Sequence, residues 1–122
     1  MKYSVLLPTR NGGDYLENCI LSILEQDFDD FELVISDNAN ADATPGIIEK
    51  YHAHPKVKAV RSERVLSVTE NWNNALLSSS GEYILMMGDD DYLLPNYFQR
   101  MNGILARHQN PDCVVHNAYS YV

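Results

Sequence analysis

Three consecutive carboxylates, Asp89, Asp90 and Asp91, follow the most apolar segment of the chain, Tyr83-Ile84-Leu85-Met86-Met87, after the single residue Gly88. Adjacent like charges repel, and holding them at the end of a buried strand costs hydration, so the run needs a compensating cation or water. Carboxylate oxygens suit Mg²⁺ or Mn²⁺, which bind one or two carboxylates and complete their shell with water and substrate phosphate. The chemistry implied is metal-assisted handling of a diphosphate, the ion offsetting charge that develops on a phosphate leaving group. The rival assignment is a solvated turn that caps the helix expected from Pro95. A cap needs one carboxylate, and three are present.

Two further polar clusters follow apolar runs: Pro8-Thr9-Arg10-Asn11 after Val5-Leu6-Leu7, and Asp37-Asn38 after residues 31–36. In an open α/β sheet the ligand crevice lies beyond the carboxyl ends of the strands. Thr9, Arg10, Asp37 and the aspartates therefore converge on one cleft if all three runs are strands. His52, His54, His108 and His116 show no ligand spacing, and Cys19 and Cys113 sit in apolar patterns as expected buried free thiols. Trp72 and the tyrosines are assigned mostly to the core, with stacking on a base or sugar open to an aromatic beside the cleft.

The elements that would position these groups alternate. Val5-Leu6-Leu7 reads as a doubly buried strand, and Leu16, Cys19, Ile20, Ile23 and Leu24 repeat at helical spacing behind an Asp14/Glu17 capping box. A second strand follows at 31–36. Thr44 as N-cap and Pro45 as first helical residue open a helix with Ile47, Ile48 and Tyr51 inward. A third strand is expected at 57–60, a helix at 69–77, and a central buried strand at 83–87. A helix from Pro95 carries Tyr97, Phe98, Met101, Ile104 and Leu105, and residues 113–121 form a last strand. The fold class implied is α/β, an open, mostly parallel, Rossmann-like sheet flanked by helices.

The chain has 122 residues, the size of one domain, and 17 acidic against 9 Lys and Arg residues, a formal charge of −8. That balance argues against nucleic acid as a partner, because phosphate polymers are bound chiefly by clustered cations. No apolar stretch is long enough for a transmembrane helix and no signal-peptide pattern opens the chain, so a cytoplasmic protein is expected.

The same residues resemble glycosyltransferase family 2. Tyr3-Ser4-Val5-Leu6-Leu7-Pro8-Thr9-Arg10-Asn11, with Ser22 and Gln26, is similar to the family's opening strand, Pro-Thr-x-Asn turn and first helix. Residues 33–44 resemble its second-strand motif, Asn73 before Ala75 and Gly81-Glu82-Tyr83-Ile84 its helix and strand entry, and Gly88-Asp89-Asp90-Asp91 its Asp-x-Asp metal motif. The resemblance implies a GT-A fold and inverting transfer of sugar from a nucleotide-diphosphate donor, expected to be a UDP-sugar. Pro8, Thr9, Arg10, Asn11, Asp37, Asn38, Asn73, Asp89 and Asp90 would bind the donor. Mn²⁺ or Mg²⁺ would sit on Asp89 with Asp91, or on Asp90 with Asp91. The acceptor would be a glycan or glycolipid, and a longer protein would work at the inner face of the membrane.

Departures accompany the match. Gly88 stands where many members carry the first Asp, Trp72 where many have Arg, and Asn40 where Ser is common. The family's catalytic domain continues into an acceptor-binding half that normally supplies the general base, so residues 1–122 are expected to be the nucleotide-sugar-binding part alone. The rivals are a sugar-phosphate nucleotidyltransferase, which would show a basic Gly-rich loop after the first strand, and a non-catalytic α/β module such as a response regulator, which would carry paired acids there. Here that strand ends in Pro8-Thr9.

Overall fold

The computed structural model describes residues 1–116. Their elements run β1 (Tyr3–Thr9), α1 (Leu16–Leu24), β2 (Phe31–Asp37), α2 (Thr44–Tyr51), β3 (Val57–Arg61), α3 (Val68–Leu77), β4 (Tyr83–Met86) and α4 (Tyr97–Arg107). The four strands pair in parallel in the order β3-β2-β1-β4. Every residue of β1 and β2 is buried, as expected for inner strands of a parallel sheet covered on both faces.

The pleat divides the sheet. Tyr3, Val5 and Leu7 of β1, with Phe31, Leu33 and Ile35 of β2, join Leu16, Cys19, Ile20, Ile23, Ile47, Ile48, Phe98 and Leu105 in the main core. Phe98 anchors it, its ring 4.8 Å from Phe31 and 5.1 Å from Tyr3. The opposite face meets α3 through Leu6, Val34 and Ala75 and two buried polar knots. Ser36 donates to Asn71 at 2.7 Å and accepts from Asn74 at 2.9 Å. Glu32 accepts from the Ser4 hydroxyl at 2.5 Å and from Ser80 N–H at 2.6 Å, fastening the α3–β4 connection.

Several sequence-based expectations change. Among the described residues the strand expected to be central, residues 83–87, lies at the edge of the sheet beside β1, spans Tyr83–Met86, and leaves Ile84 43% exposed. Tyr83 and Leu85 pack on the main core, whereas α3 packs over β1 and β2, leaving Ile84 uncovered; apolarity alone does not separate these positions. Asp14 does not cap α1, whose N-cap is Tyr15 without a side-chain bond; Glu17 instead accepts from Lys50 at 3.2 Å and from Tyr51 at 3.1 Å on α2. Thr44 is the first residue of α2 and not its cap, because Asp42 Oδ1 accepts its N–H at 3.0 Å. Cys113 is exposed, since residues 113–116 form no strand and so do not turn it into a core; residues 117–121 of that expected strand lie outside the described residues.

Candidate functional site

Parallel register sets the site. Thr9 is the partner of Asp37 and Asp37 that of Arg61, so the last residues of three strands stand side by side at the carboxyl edge of the sheet. Pairing of β1 with β4 stops earlier, at Leu6↔Met86, just before Pro8, which has no N–H to donate. The chain ends of β1 and β4 are thus free to part.

The gap is bridged by one side-chain bond, from Thr9 Oγ1 to Asp89 Oδ2 at 2.6 Å. Gly12 is required beneath it, since a Cβ there would lie 2.2 Å from Asp89 Oδ2. Asp89 is partly buried, whereas Asp90 and Asp91 are exposed. Asp91 folds back, its Oδ2 accepting Gly88 N–H at 2.9 Å while its own N–H donates to Gly88 O at 3.1 Å. Ser22 accepts Leu93 N–H at 3.0 Å, and Gln26 donates to Leu94 O and accepts Tyr97 N–H, so α1 holds the segment that follows the aspartates. The Cys19 thiol lies beneath this turn, 3.5 Å from Gly88 O, and burial, reinforced by the charges of Asp91, Asp89 and Asp90, pushes its pKa up to about 12.

Asp37 is 4% exposed and already engaged: Oδ1 accepts from the backbone and side chain of Asn40 at 3.0 and 2.7 Å, and Oδ2 lies 3.6 Å from Arg61. Asn40 in turn accepts the N–H of Asn11 and donates to Thr9 O at 3.3 Å, locking the two loops together. Asn11 and Ala39 both adopt left-handed φ, of 55° and 47°, which turns the chain sharply after β1 and β2. Arg10 is exposed and donates to Ala39 O at 2.9 Å. Asn38 binds the backbone of Leu66 twice, accepting its N–H at 2.6 Å and donating to its carbonyl at 3.0 Å, and so fixes the entry to α3. Ser67 and Glu70 close a reciprocal capping box there, with Arg64 on Glu70 at 2.9 Å; these bonds lower the Glu70 pKa to about 2, the Ser67 N–H first and Arg64 next.

A cleft of about 300 Å³ opens between these groups, lined by Pro8, Arg10, Asn38, Asn71, Met87 and Asp89, with Leu66, Val68 and Trp72 as a largely apolar wall. Of the sequence-derived candidates, Pro8, Arg10, Asn38 and Asp89 line it; Thr9, bonded to Asp89, and the buried Asp37 do not. Asn73 is exposed and does not line the cleft; Asn71 of the same helix does. Leu66 carries no local signature of a cleft wall, and Trp72, expected mostly in the core, is instead 48% exposed in that wall; its place where many family members carry Arg is the cue the sequence offers.

Among the described residues no three His, Cys, Asp or Glu side chains gather closely enough to form a metal cluster. The donor set nevertheless fits a hard divalent ion that takes one or two carboxylates and leaves the remaining positions to water and phosphate. Asp89 and Asp91 each commit one oxygen to a local bond and have a second carboxylate oxygen to offer.

The model of the glycosyl transferase family 2 matches residues 4–121. The chain belongs to glycosyltransferase family 2. Its relatives include the poly(ribitol-phosphate) β-N-acetylglucosaminyltransferase TarS of Staphylococcus aureus, 34% identical over 96 residues, and the GalNAc(5)-diNAcBac-PP-undecaprenol β-1,3-glucosyltransferase of Campylobacter jejuni, 35% identical over 95. Each alignment covers 76% of this chain but only 17% and 31% of those proteins, so the family 2 chain described here spans less than a third of their length. The crystal structure of residues 1–349 of S. aureus TarS superposes with a TM-score of 0.82 at 30% identity, over 89% of this chain and 33% of that one; TarS has also been solved with UDP and with UDP-GlcNAc. A mannosyltransferase from Pyrobaculum calidifontis, in complex with GDP-Man and Mn²⁺, matches at a TM-score of 0.66 and 26% identity over 73% of this chain and 27% of that one. The parallel sheet with its flanking helices is thus a GT-A fold. No helix among the described residues is long and apolar enough to cross a membrane.

Proposed function

We propose that residues 1–122 are the donor-binding part of an inverting glycosyltransferase, and that the cleft takes a nucleotide-diphosphate sugar, most directly a UDP-sugar. The observation that supports this most is the convergence of Pro8, Arg10, Asn38 and Asp89, from the ends of β1, β2 and β4, on one cleft in a family 2 chain. The TarS complexes with UDP and UDP-GlcNAc support the choice of nucleotide.

Each residue then has a part. Arg10, exposed in the cleft lining, meets the diphosphate with the guanidinium donors not given to Ala39 O; Thr9 holds Asp89 in position; Asp37, fixed by Asn40 and Arg61, is the carboxylate assigned to the base or ribose. Asn11 and Asn38 set the loops around the nucleotide, and Asp90 adds a contact to the ribose. Asp89 with Asp91 would hold Mn²⁺ or Mg²⁺, which when bound offsets the charge of the departing nucleotide diphosphate. In the whole protein an acceptor hydroxyl of a glycan or glycolipid attacks the anomeric carbon from the face opposite the breaking carbon–oxygen bond. None of residues 1–122 is assigned as the base that removes its proton.

Calorimetric titration with uridine diphosphate, with and without Mn²⁺, tests this on wild type, Asp89→Ala and Asp91→Ala. Metal-dependent affinity lost by at least about ten-fold in both variants is expected, the scale of removing one charged hydrogen-bonding partner. Equal affinity in every arm would refute it.

A further inference from the structure

Trp72 is the only tryptophan in the sequence, and nearly half of it, 48%, is exposed. Its neighbours on α3, Asn71 and Ala75, are buried against the sheet. Val68, one turn earlier on the same helix face, lines the cleft with it and is 70% exposed. Among the described residues the aromatic pairs gather around Phe98 and Tyr3, and the cations over rings are Lys2 and Lys56, on Tyr3 and Phe31. The indole has no such partner.

The cleft is chemically two-ended. Asp89 follows the carboxyl end of β4, while Asn38 and Leu66 lie two strands inward, toward β2. Between them Trp72, Leu66 and Val68 offer an apolar wall, and Arg10 and Asp89 the charged groups. A nucleoside diphosphate has the same polarity, a flat base with apolar faces at one end and a polyanion at the other. With the diphosphate at Arg10 and Asp89, the base falls on the inward side, against α3. The wall is held rigid beforehand by the Asn38–Leu66 pair, the Ser67–Glu70 box and the Asn71–Ser36 bond, so little ordering remains to oppose binding.

We infer that Trp72 is the platform on which the nucleotide base stacks, replacing by ring-on-ring contact what a polar side chain at that position would supply through hydrogen bonds. This rests on the donor-binding reading above. A stacking platform tolerates different bases, because every base has a π face; the choice among nucleotides would then fall to Asp37 and its loop.

The test combines fluorescence and calorimetry in Mg²⁺. With excitation at the red edge of indole absorption, uridine and guanosine diphosphates quench Trp72 with midpoints equal to their calorimetric Kd, and inorganic pyrophosphate does not. Trp72→Ala weakens both nucleotides by about ten-fold or more, as loss of one base–aromatic stack does; Trp72→Phe stays within about three-fold, and pyrophosphate affinity is unchanged in both. Wild-type calorimetric binding with no quenching, unchanged nucleotide affinity in Trp72→Ala, or an equal loss for pyrophosphate overturns the platform and leaves donor binding standing. No calorimetric binding by wild type removes both.

Discussion

Thr9 and Asp89, 80 positions apart, are joined by a 2.6 Å hydrogen bond across the opening between β1 and β4. The bond aims one carboxylate of an acidic run into the cleft, while Asp90 and Asp91 remain at the surface. Thr9→Val keeps the side chain's shape and removes the donor. Because Asp89 is only partly buried, stability should fall by about 1 kcal/mol or less, whereas affinity for uridine diphosphate with Mn²⁺ should fall at least about five-fold. Thr9→Ser should behave as wild type. Thermal unfolding and calorimetry separate the two effects, and unaltered nucleotide affinity in Thr9→Val would count against the role given to this bond.

Two glycines make opposite predictions. A Cβ on Gly12 meets the movable Asp89 carboxylate, so Gly12→Ala should displace Asp89 and impair ligand binding at little cost in stability. A Cβ on Gly81 meets the Ser4 backbone nitrogen at 2.5 Å and the Tyr3 carbonyl carbon at 2.7 Å, in a fully buried strand that cannot yield. Gly81→Ala should destabilise by about 2–3 kcal/mol, as overpacking does. Denaturant titration of both variants checks the contrast.

Glu32 predicts a pH dependence far from the cleft. Burial alone would raise its pKa, but hydrogen bonds from Ser4 and from Ser80, with Lys58 nearby, outweigh it and leave the carboxyl below its ordinary 4.5. A folded-state value below the unfolded one contributes stability that is complete above about pH 4.5 and is lost as pH falls through the depressed value. Glu32→Gln should lower stability at neutral pH by about 1–2 kcal/mol and flatten its fall between about pH 5 and 3. Urea titrations at pH 7, 5 and 3 would reveal it; parallel pH profiles for the two proteins would contradict it.

The cysteines should differ in reactivity. Burial holds the Cys19 thiol protonated, up to about 12, whereas Cys113 is exposed. An aromatic disulfide reagent at pH 8 should label one thiol in the native protein and two in guanidinium chloride. Two fast thiols in the native state would mean that α1 does not seal Cys19 beneath the acidic turn.

Periodicity and punctuation carried most of the architecture. The strand cores at Val5-Leu6-Leu7 and 31–36, which lie within β1 and β2, and the helical stripe through Leu16, Cys19, Ile20 and Ile23 follow from side-chain spacing, which is a local property of the chain. The carboxyl ends of those runs also mark Thr9, Asp37 and the aspartates, because strand ends are where loops leave any parallel sheet. Capping was legible less well: Asp14 and Thr44 have the right residue types, but neither caps its helix, and the capping box forms at Ser67 on α3.

The sequence by itself determined an α/β chain with its polar clusters at strand ends, since hydrophobic spacing and residue chemistry act between near neighbours. Only the tertiary structure decided that β4 pairs with β1 on the side away from β2, that Asp89 and not the whole acidic run faces the cleft, and that Trp72 stands in its wall. Those outcomes depend on strand order, register and helix docking, which are set by contacts between residues tens of positions apart, and no local pattern encodes which of them will meet.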